Sequence, residues 1–183
     1  MSNQEKTNRI ILTGVMMALI IVATMLIRIP IPFSSGYVHL GDAMVFLSVL
    51  ILGWRYAAIA AGIGSLLADV MVGAAIWAPW TLVIKACMAI IMGMFIKKAM
   101  KGNAGTLFGM PLYHLVGMIF AGIFMVAGYY LAEGVIYGNF VVPVLSIPWN
   151  VGQFIVGLGV ASIVSSALIK TPARKFFTYQ FAE

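Results

Sequence analysis

The most informative side chain in the sequence is a lysine that interrupts a long apolar run. If the run crosses a membrane, Lys85 is an ionisable group in hydrocarbon, which costs about 2.5–3.5 kcal/mol on insertion scales and therefore marks function. Trp77 and Thr81 precede Lys85 at intervals of four residues, so the three lie near one stripe of a helix. We expect Lys85 to contact a ligand; the alternative is a buried ion pair with Asp69 or Glu133.

Two carboxamides form a second polar cluster, in the last apolar run. Ser146, Asn150 and Gln153 follow one another at intervals of four and three residues and share one helical face. Asn and Gln each offer a donor and an acceptor, which suits the edge of a heterocycle. Pro148 loosens the backbone ladder beside them. We expect Asn150 and Gln153 to contact a ligand; the alternative is that they join helices to each other.

Further candidate binding residues lie near the same side of the membrane. Tyr129 and Glu133 are four residues apart at the end of the fifth run, and Tyr37 and His39 lie in the loop before the second. Together with Trp80 they would give a pocket aromatic faces for a flat ring and polar edges for hydrogen bonds. We expect this pocket to open outward, under a roof formed by the loop. The alternatives are interfacial tyrosines, a solvated glutamate and a solvated loop histidine.

The other two intramembrane acids are expected to have structural roles. Asp42 stands where the second helix begins, which favours a helix N-cap. Asp69 is expected to pair with Lys85 or Arg28.

The composition defines the elements that must position these side chains. Apolar residues make up 63% of the 183-residue chain and charged residues only 9%, against about 45–50% and about 25% in soluble domains. This excludes a soluble globule and a disordered chain. The single cysteine, Cys87, excludes a disulfide scaffold and is expected to be an apolar filler. Unbroken apolar runs argue against a transmembrane barrel.

Six apolar runs are separated by polar or proline-bearing segments. The second run has only 12 residues, whereas a span needs about 20. We predict an all-α integral membrane protein: one transmembrane domain over residues 1–183, six helices, a short second helix and an outer first loop, 33–41, over the pocket. The runs are 10–27, 43–54, 56–78, 79–96, 112–132 and 141–169.

The positions of the basic residues support this count. With both termini in the cytoplasm, nine Lys and Arg residues lie inside and only Arg28 lies outside, as the positive-inside rule requires. Because the basic residues follow this pattern, the net charge of +6 indicates a multi-pass protein of the cell membrane, surrounded by lipid, and not a protein that binds nucleic acid. The inner nine are Lys6, Arg9, Arg55, Lys97, Lys98, Lys101, Lys170, Arg174 and Lys175.

Motifs for chemistry are missing from the sequence. It has no glycine-rich phosphate loop, no His-Glu-x-x-His pattern and no nucleophilic triad. We therefore expect no enzyme activity and no metal or cofactor in this chain. Active transport would need an ion gradient or a partner. A stand-alone secondary carrier or channel is one alternative, although paired repeats are not evident; a membrane enzyme on a lipid substrate, using Asp69, Glu133 or His39, is another.

Several of these motifs together resemble the substrate-binding S components of energy-coupling-factor (ECF) transporters, over essentially the whole chain. Among these, the sequence is most similar to the group for hydroxymethylpyrimidine, pyridoxine or riboflavin, and we favour hydroxymethylpyrimidine or pyridoxine. The motifs are GYVHLGDA at 36–43, the Ala68-Asp69 pair, Pro79 followed by Lys85, and Asn150-x-x-Gln153.

The resemblance implies partners and a mechanism. An S component captures a water-soluble vitamin outside and joins a transmembrane coupling protein and two cytoplasmic ATPases, which use the ATP. It then topples in the membrane and releases the vitamin inside. Family members dock the coupling protein through small residues on the first helix. Gly14-x-x-x-Ala18 has that spacing here, with Gly14 as a departure from the usual alanine. The alternative for Gly14 and Ala18 is packing inside the bundle.

Overall fold

The computed structural model describes residues 3–32, 34–99, 105–107 and 110–179. These ranges contain six α-helices, as expected from the six runs. The helices are α1 (Asn3–Leu26), α2 (Gly41–Leu52), α3 (Trp54–Met71), α4 (Ala78–Ala99), α5 (Leu112–Tyr137) and α6 (Ile147–Ile169). Short 3-10 helices precede and follow α6, at Val142–Ser146 and Pro172–Phe176.

Two small antiparallel ribbons accompany the helices, and the sequence analysis did not predict them. The first pairs β1 (Arg28–Pro30) with β2 (Tyr37–His39), in the register that sets Ile29 opposite Val38. The second pairs β3 (Thr106–Leu107) with β4 (Met110–Pro111). The first ribbon replaces the predicted irregular loop between α1 and α2. Phe33, where that predicted loop begins, lies outside the described residues.

The third apolar run was predicted to be a single span over 56–78, and this is wrong. Helix α3 ends at Met71, and a turn of six residues leads to α4 at Ala78. Gly73 has a φ of +80° in this turn, a conformation that glycine adopts without steric cost. The turn residues are as apolar as the helices they join, so hydropathy alone did not reveal the boundary.

The helices alternate in direction between two ends of the bundle. Arg9, near the start of α1, donates to the Leu52 carbonyl at the end of α2 (2.9 Å) and to Thr178 Oγ1, beyond α6 (3.2 Å). This is the end predicted to face the cytoplasm, where the basic residues gather. Lys101, one of the predicted nine, lies outside the described residues. Arg28, in β1, lies at the opposite, outer end.

Helix α2 is the centre of the bundle. Ten of its twelve residues are buried, and it contacts α1, α3, α4 and α6. A helix that is apolar on all sides is stable when protein surrounds it. This explains how twelve residues serve as one of six transmembrane elements: α2 meets other helices and not lipid.

The outside of the bundle is apolar, as a lipid-facing surface requires. Four helices, α1, α4, α5 and α6, are long and apolar enough to cross a membrane. Ile11, Val15 and Leu19 on α1 are all exposed. Inside, small residues bring backbones together, because a Cβ at Gly64 would lie 3.1 Å from the Met17 carbonyl oxygen. Helix α3 therefore packs closely on α1.

Candidate functional site

A cavity lies at the outer end of the bundle, under the first ribbon. The space among its lining residues is about 350 Å³ with open solvent included. Its wall combines aromatic, hydroxyl, amide and carboxyl groups. The lining residues are Ile31, Gly36, Tyr37, His39, Asp69, Trp77, Thr81, Tyr129, Glu133, Asn150 and Gln153.

The β1–β2 ribbon is tied to three sides of the cavity. The Tyr37 hydroxyl donates to Asp69 Oδ1 on α3. The Ser35 amide donates to the Tyr137 hydroxyl on α5 (2.8 Å), and Trp77 Nε1, just before α4, donates to the Ser35 carbonyl (3.3 Å). The predicted outer loop over a ligand pocket is therefore confirmed, in the form of a strand ribbon that roofs the cavity.

A buried ion pair supports the floor of the cavity. Lys85 on α4 pairs with Asp42 Oδ1 on α2, and both side chains are fully buried. Gln153 Nε2 on α6 donates to the other carboxylate oxygen, Asp42 Oδ2, at 2.9 Å. Three helices thus meet at one carboxylate, whose oxygens are both occupied.

Gln153 also holds the ribbon in place. Its Oε1 accepts a hydrogen bond from the His39 amide (2.9 Å), while His39 Nδ1 accepts one from the Gly41 amide (3.0 Å). Burial, together with the positive charge of Lys85, lowers the pKa of His39 to about 4. The imidazole is therefore neutral at neutral pH, as an acceptor at Nδ1 must be.

Six of the eight predicted ligand contacts lie on the cavity wall: Tyr37, His39, Tyr129, Glu133, Asn150 and Gln153. Their contact with a ligand stays a prediction. Lys85 and Trp80 do not line the cavity. Lys85 lies behind the wall, and the alternative that it pairs with Asp69 or Glu133 is wrong, because its partner is Asp42.

The expected N-cap role of Asp42 is wrong as well. The N-cap position of α2 is Leu40, and no side chain caps the helix. Asp42 lies two residues further in, where its carboxylate bonds to Lys85 and Gln153. The sequence showed an acid at a helix start, and the charge that attracts it inward is 43 residues away. The expected pairing of Asp69 with Lys85 or Arg28 is also wrong, since Lys85 pairs with Asp42 and Asp69 Oδ1 accepts a hydrogen bond from Tyr37.

An aromatic wall was only partly foreseen. Trp77 and Tyr129 face each other with ring centroids 6.3 Å apart and planes inclined at 60°. The Tyr129 hydroxyl donates to Thr81 Oγ1 (3.3 Å), and Lys85 Nζ lies 5.2 Å from the Tyr129 ring centroid. Trp77 and Thr81 were noted only as neighbours of Lys85 on one helical stripe. Their place on that stripe is the sequence signal that could have identified both as lining residues.

Three polar groups on the wall keep unused hydrogen-bonding capacity. Asp69 Oδ2 and Glu133 Oε2 are buried and have no hydrogen-bond partner in the described part of the chain. The Asn150 carboxamide is 5% exposed and likewise makes no hydrogen bond to another described residue. Buried polar groups in native proteins are normally satisfied, so these three are the groups free to contact a ligand.

The predicted docking residues lie on the surface of α1. Gly14 and Ala18 are both exposed, whereas Met16 and Ile20 face the core. A Cβ placed on Gly14 would meet nothing within 4 Å. The alternative interpretation, packing inside the bundle, therefore does not describe these two residues.

This fold and site are those of a multi-pass membrane protein with a roofed binding cavity, and the family comparison agrees. Residues 4–170 match the family model described as ECF-type riboflavin transporter, S component. The chain belongs to this family, which confirms the resemblance found in the sequence. It is accordingly a multi-pass protein of the cell membrane and a transporter component, not an enzyme.

Individual relatives give a consistent result. "Uncharacterized protein in gap 3'region" from Pyrococcus woesei is 43% identical over 117 residues, covering 64% of this chain and 72% of that protein. "Thiamine precursor transporter HmpT" from Lactococcus lactis subsp. cremoris (strain MG1363) is 26% identical over 170 residues, covering 92% of each. The crystal structure of a biotin S-component from an ECF-type ABC transporter superposes with a TM-score of 0.71 at 21% identity, covering 97% of this chain and 99% of that one. The last match shows the fold.

Proposed function

We propose that this protein captures a water-soluble vitamin or vitamin precursor with a single heteroaromatic ring, of the hydroxymethylpyrimidine or pyridoxine type. Capture occurs from outside the cell, and delivery occurs through an ATP-driven ECF complex. The observation that carries this proposal is the roofed cavity at the outer end, where the Trp77 and Tyr129 rings lie beside unsatisfied polar groups. Flat rings with polar edges are the ligands that such walls suit.

The size of the cavity supports one ring over several. The space among its lining residues is about 350 Å³ even with open solvent counted, so the enclosed part is smaller still. The three fused rings and ribityl chain of riboflavin need more room than one substituted pyrimidine or pyridine. The relative described as a thiamine precursor transporter covers nearly the full chain, and it supports the smaller ligand class.

The predicted contacts divide into two roles in this proposal. Asn150, Tyr129 and Glu133 face the ligand directly, with Asn150 reading the ring edge through its unused amide. Gln153 and Lys85 are positioning residues: they act through Asp42 and His39, and they hold the ribbon against the ring of helices. Tyr37 and His39 complete the wall of the cavity, and Trp80 lies outside that wall.

The proposed partners are an ECF transmembrane coupling protein and two cytoplasmic ATPases. Gly14 and Ala18 offer a small-residue face on which a partner helix can approach closely. The ATP is used by the partners, since this chain has no phosphate-binding loop.

Three measurements test the proposal. Native mass spectrometry of the purified protein should reveal a co-purified pyrimidine or pyridine compound, and titration should give saturable binding of it. In liposomes, uptake should require the coupling protein, the ATPases and ATP. Gradient-driven uptake by this chain alone would contradict the proposal and identify a stand-alone carrier instead.

A further inference from the structure

The wall of the cavity carries two acidic side chains, and no Lys or Arg side chain of the described residues lies on the wall beside them. Asp69 and Glu133 are only 3% and 1% exposed, and both line the cavity. One oxygen of each, Asp69 Oδ2 and Glu133 Oε2, has no hydrogen-bond partner among the described residues. An isolated buried carboxylate is costly unless it is paired or hydrogen-bonded, so the two oxygens mark a place for donors.

The protein does not supply those donors from its own basic residues. The wall contains no Lys or Arg within the described ranges. Lys85, the nearest cation, is committed to Asp42. Arg28 lies above the roof, with its guanidinium carbon 5.8 Å from the Tyr37 ring centroid, and it is exposed.

Neighbouring hydroxyl groups lie beside each of the two acids. Tyr37 donates to Asp69 Oδ1, and Ser34 lies 3.5 Å from Glu133 Oε1. The hydroxyls of Thr81 and Ser146 lie close to Asp69 and Glu133 respectively. These hydroxyl groups orient the two carboxyl groups, and Asp69 Oδ2 and Glu133 Oε2 remain without a hydrogen-bond partner among the described residues.

We propose that the ligand presents N–H donors, with a positive charge, on the edge that faces Asp69 and Glu133. The chemical class is an aminopyrimidine protonated on its ring, or a pyridinium. This rests on the proposed function and narrows it. The Trp77 and Tyr129 rings add to the preference, because aromatic faces attract a cationic ring. The same wall disfavours a ligand carrying a carboxylate, such as biotin, and one whose ring edge offers mainly carbonyl acceptors, such as riboflavin.

A matched pair of ligands tests the inference on the wild-type protein. Hydroxymethylpyrimidine carries a ring amino group and a basic ring; in its oxo analogue a carbonyl acceptor replaces the amino donor, and a ring nitrogen carries a proton in a neutral, weakly basic ring. Hydrogen bonds to charged groups support a preference of about 10- to 150-fold for the amino compound. Equal affinity for the two compounds would overturn the inference and leave the proposed function standing.

Carboxyl-to-amide variants then show which residues cause the preference for the amino compound. Asp69→Asn and Glu133→Gln should each reduce the ratio of amino to oxo affinity, while the oxo analogue continues to bind. Glu5→Gln, the same chemical change at the cytoplasmic end of α1, should leave the ratio unchanged. An unchanged ratio in both cavity variants would overturn the inference. If neither compound binds the wild-type protein and pyridoxine does not bind either, the proposed function itself is wrong.

Discussion

Asp42 on α2 and Lys85 on α4 form an ion pair from which solvent is fully excluded. Gln153 on α6 donates a hydrogen bond to Asp42 and accepts one from the His39 amide, so it links the ion pair to the ribbon. The pair joins the central helix to the floor of the cavity. Lys85 therefore belongs to the framework of the site, and its removal has a cost that is separate from ligand contact.

Lys85→Met should lower the free energy of unfolding by about 3–5 kcal/mol, because it leaves Asp42 as an uncompensated buried charge. Adding Asp42→Asn should restore much of the loss, since the stranded charge is then gone. Thermal unfolding in detergent measures both. Lys97→Met, at an exposed position on the same helix, is the control and should change little. A double variant less stable than the single variant would show that charge pairing is not the cause.

Asn150→Ala and Gln153→Ala should separate the two roles of the amides. Asn150→Ala should weaken ligand binding about 5- to 150-fold with little change in melting temperature, since its amide makes no hydrogen bond to another described residue. Gln153→Ala should lower both, because it leaves Asp42 Oδ2 and the His39 amide without partners. Ligand titration and thermal unfolding of each variant decide this. Equal effects on stability would contradict the division.

Tyr37→Phe should speed ligand release. The change removes the hydrogen bond that ties the roof to Asp69, and a bond of this kind is worth about 1–3 kcal/mol. Dissociation rates from stopped-flow fluorescence should rise about 5- to 150-fold. Tyr130→Phe is a matched control, because its hydroxyl bonds to Phe140 and not to the ribbon. Comparable acceleration in the control would contradict the role given to the roof.

Gly14→Leu should leave ligand binding and stability intact and abolish ATP-driven uptake by the assembled complex. The new side chain meets nothing in this chain, but it would hold a partner helix away. Gly152→Leu, at an exposed glycine on α6 that also has no neighbour within 4 Å, is the control. It should retain uptake. Loss of uptake in both variants to the same extent would mean that α1 is not the specific docking face.

Protonation of His39 should lower the free energy of unfolding in mild acid. Its pKa is lowered from 6.5 to about 4 in the folded state, so the unfolded state binds more protons between these values. The contribution of neutral His39 to the free energy of unfolding is complete above pH 6.5 and is lost as the pH falls toward 4. His39→Asn keeps a side-chain acceptor for the Gly41 amide and should flatten this part of the stability profile. His114 is present in both proteins and cancels in the difference between the two profiles.

The sequence predicted those features that depend on local composition. The apolar runs gave the number of helices and the short α2, and the positions of the basic residues gave the orientation. Six of the eight expected binding residues reached the cavity because the side of the membrane can be inferred from the run in which each residue lies. The polar loop between the first two runs gave the roof.

The features that failed depend on pairing between distant segments. The partner of Lys85 could not be inferred, because Asp42, Asp69 and Glu133 all lie near the same depth and only helix packing selects one. The end of α3 was missed because the turn after Met71 is apolar. The ribbon was not predicted because its strands have only three residues each, one of them with Pro30, and are too short to show a periodic hydrophobic pattern.

The burial of α2 at the centre of the bundle has a consequence for how the protein is made. The chain leaves the ribosome with Asp42 43 residues ahead of Lys85 and 111 residues ahead of Gln153. Until α4 follows, a twelve-residue segment with an unmatched carboxylate has neither the length of about 20 residues nor the neighbours to remain in the bilayer. Stable insertion of α2 therefore belongs to a late step of biogenesis, when α4 and α6 close around a segment that was synthesised long before them.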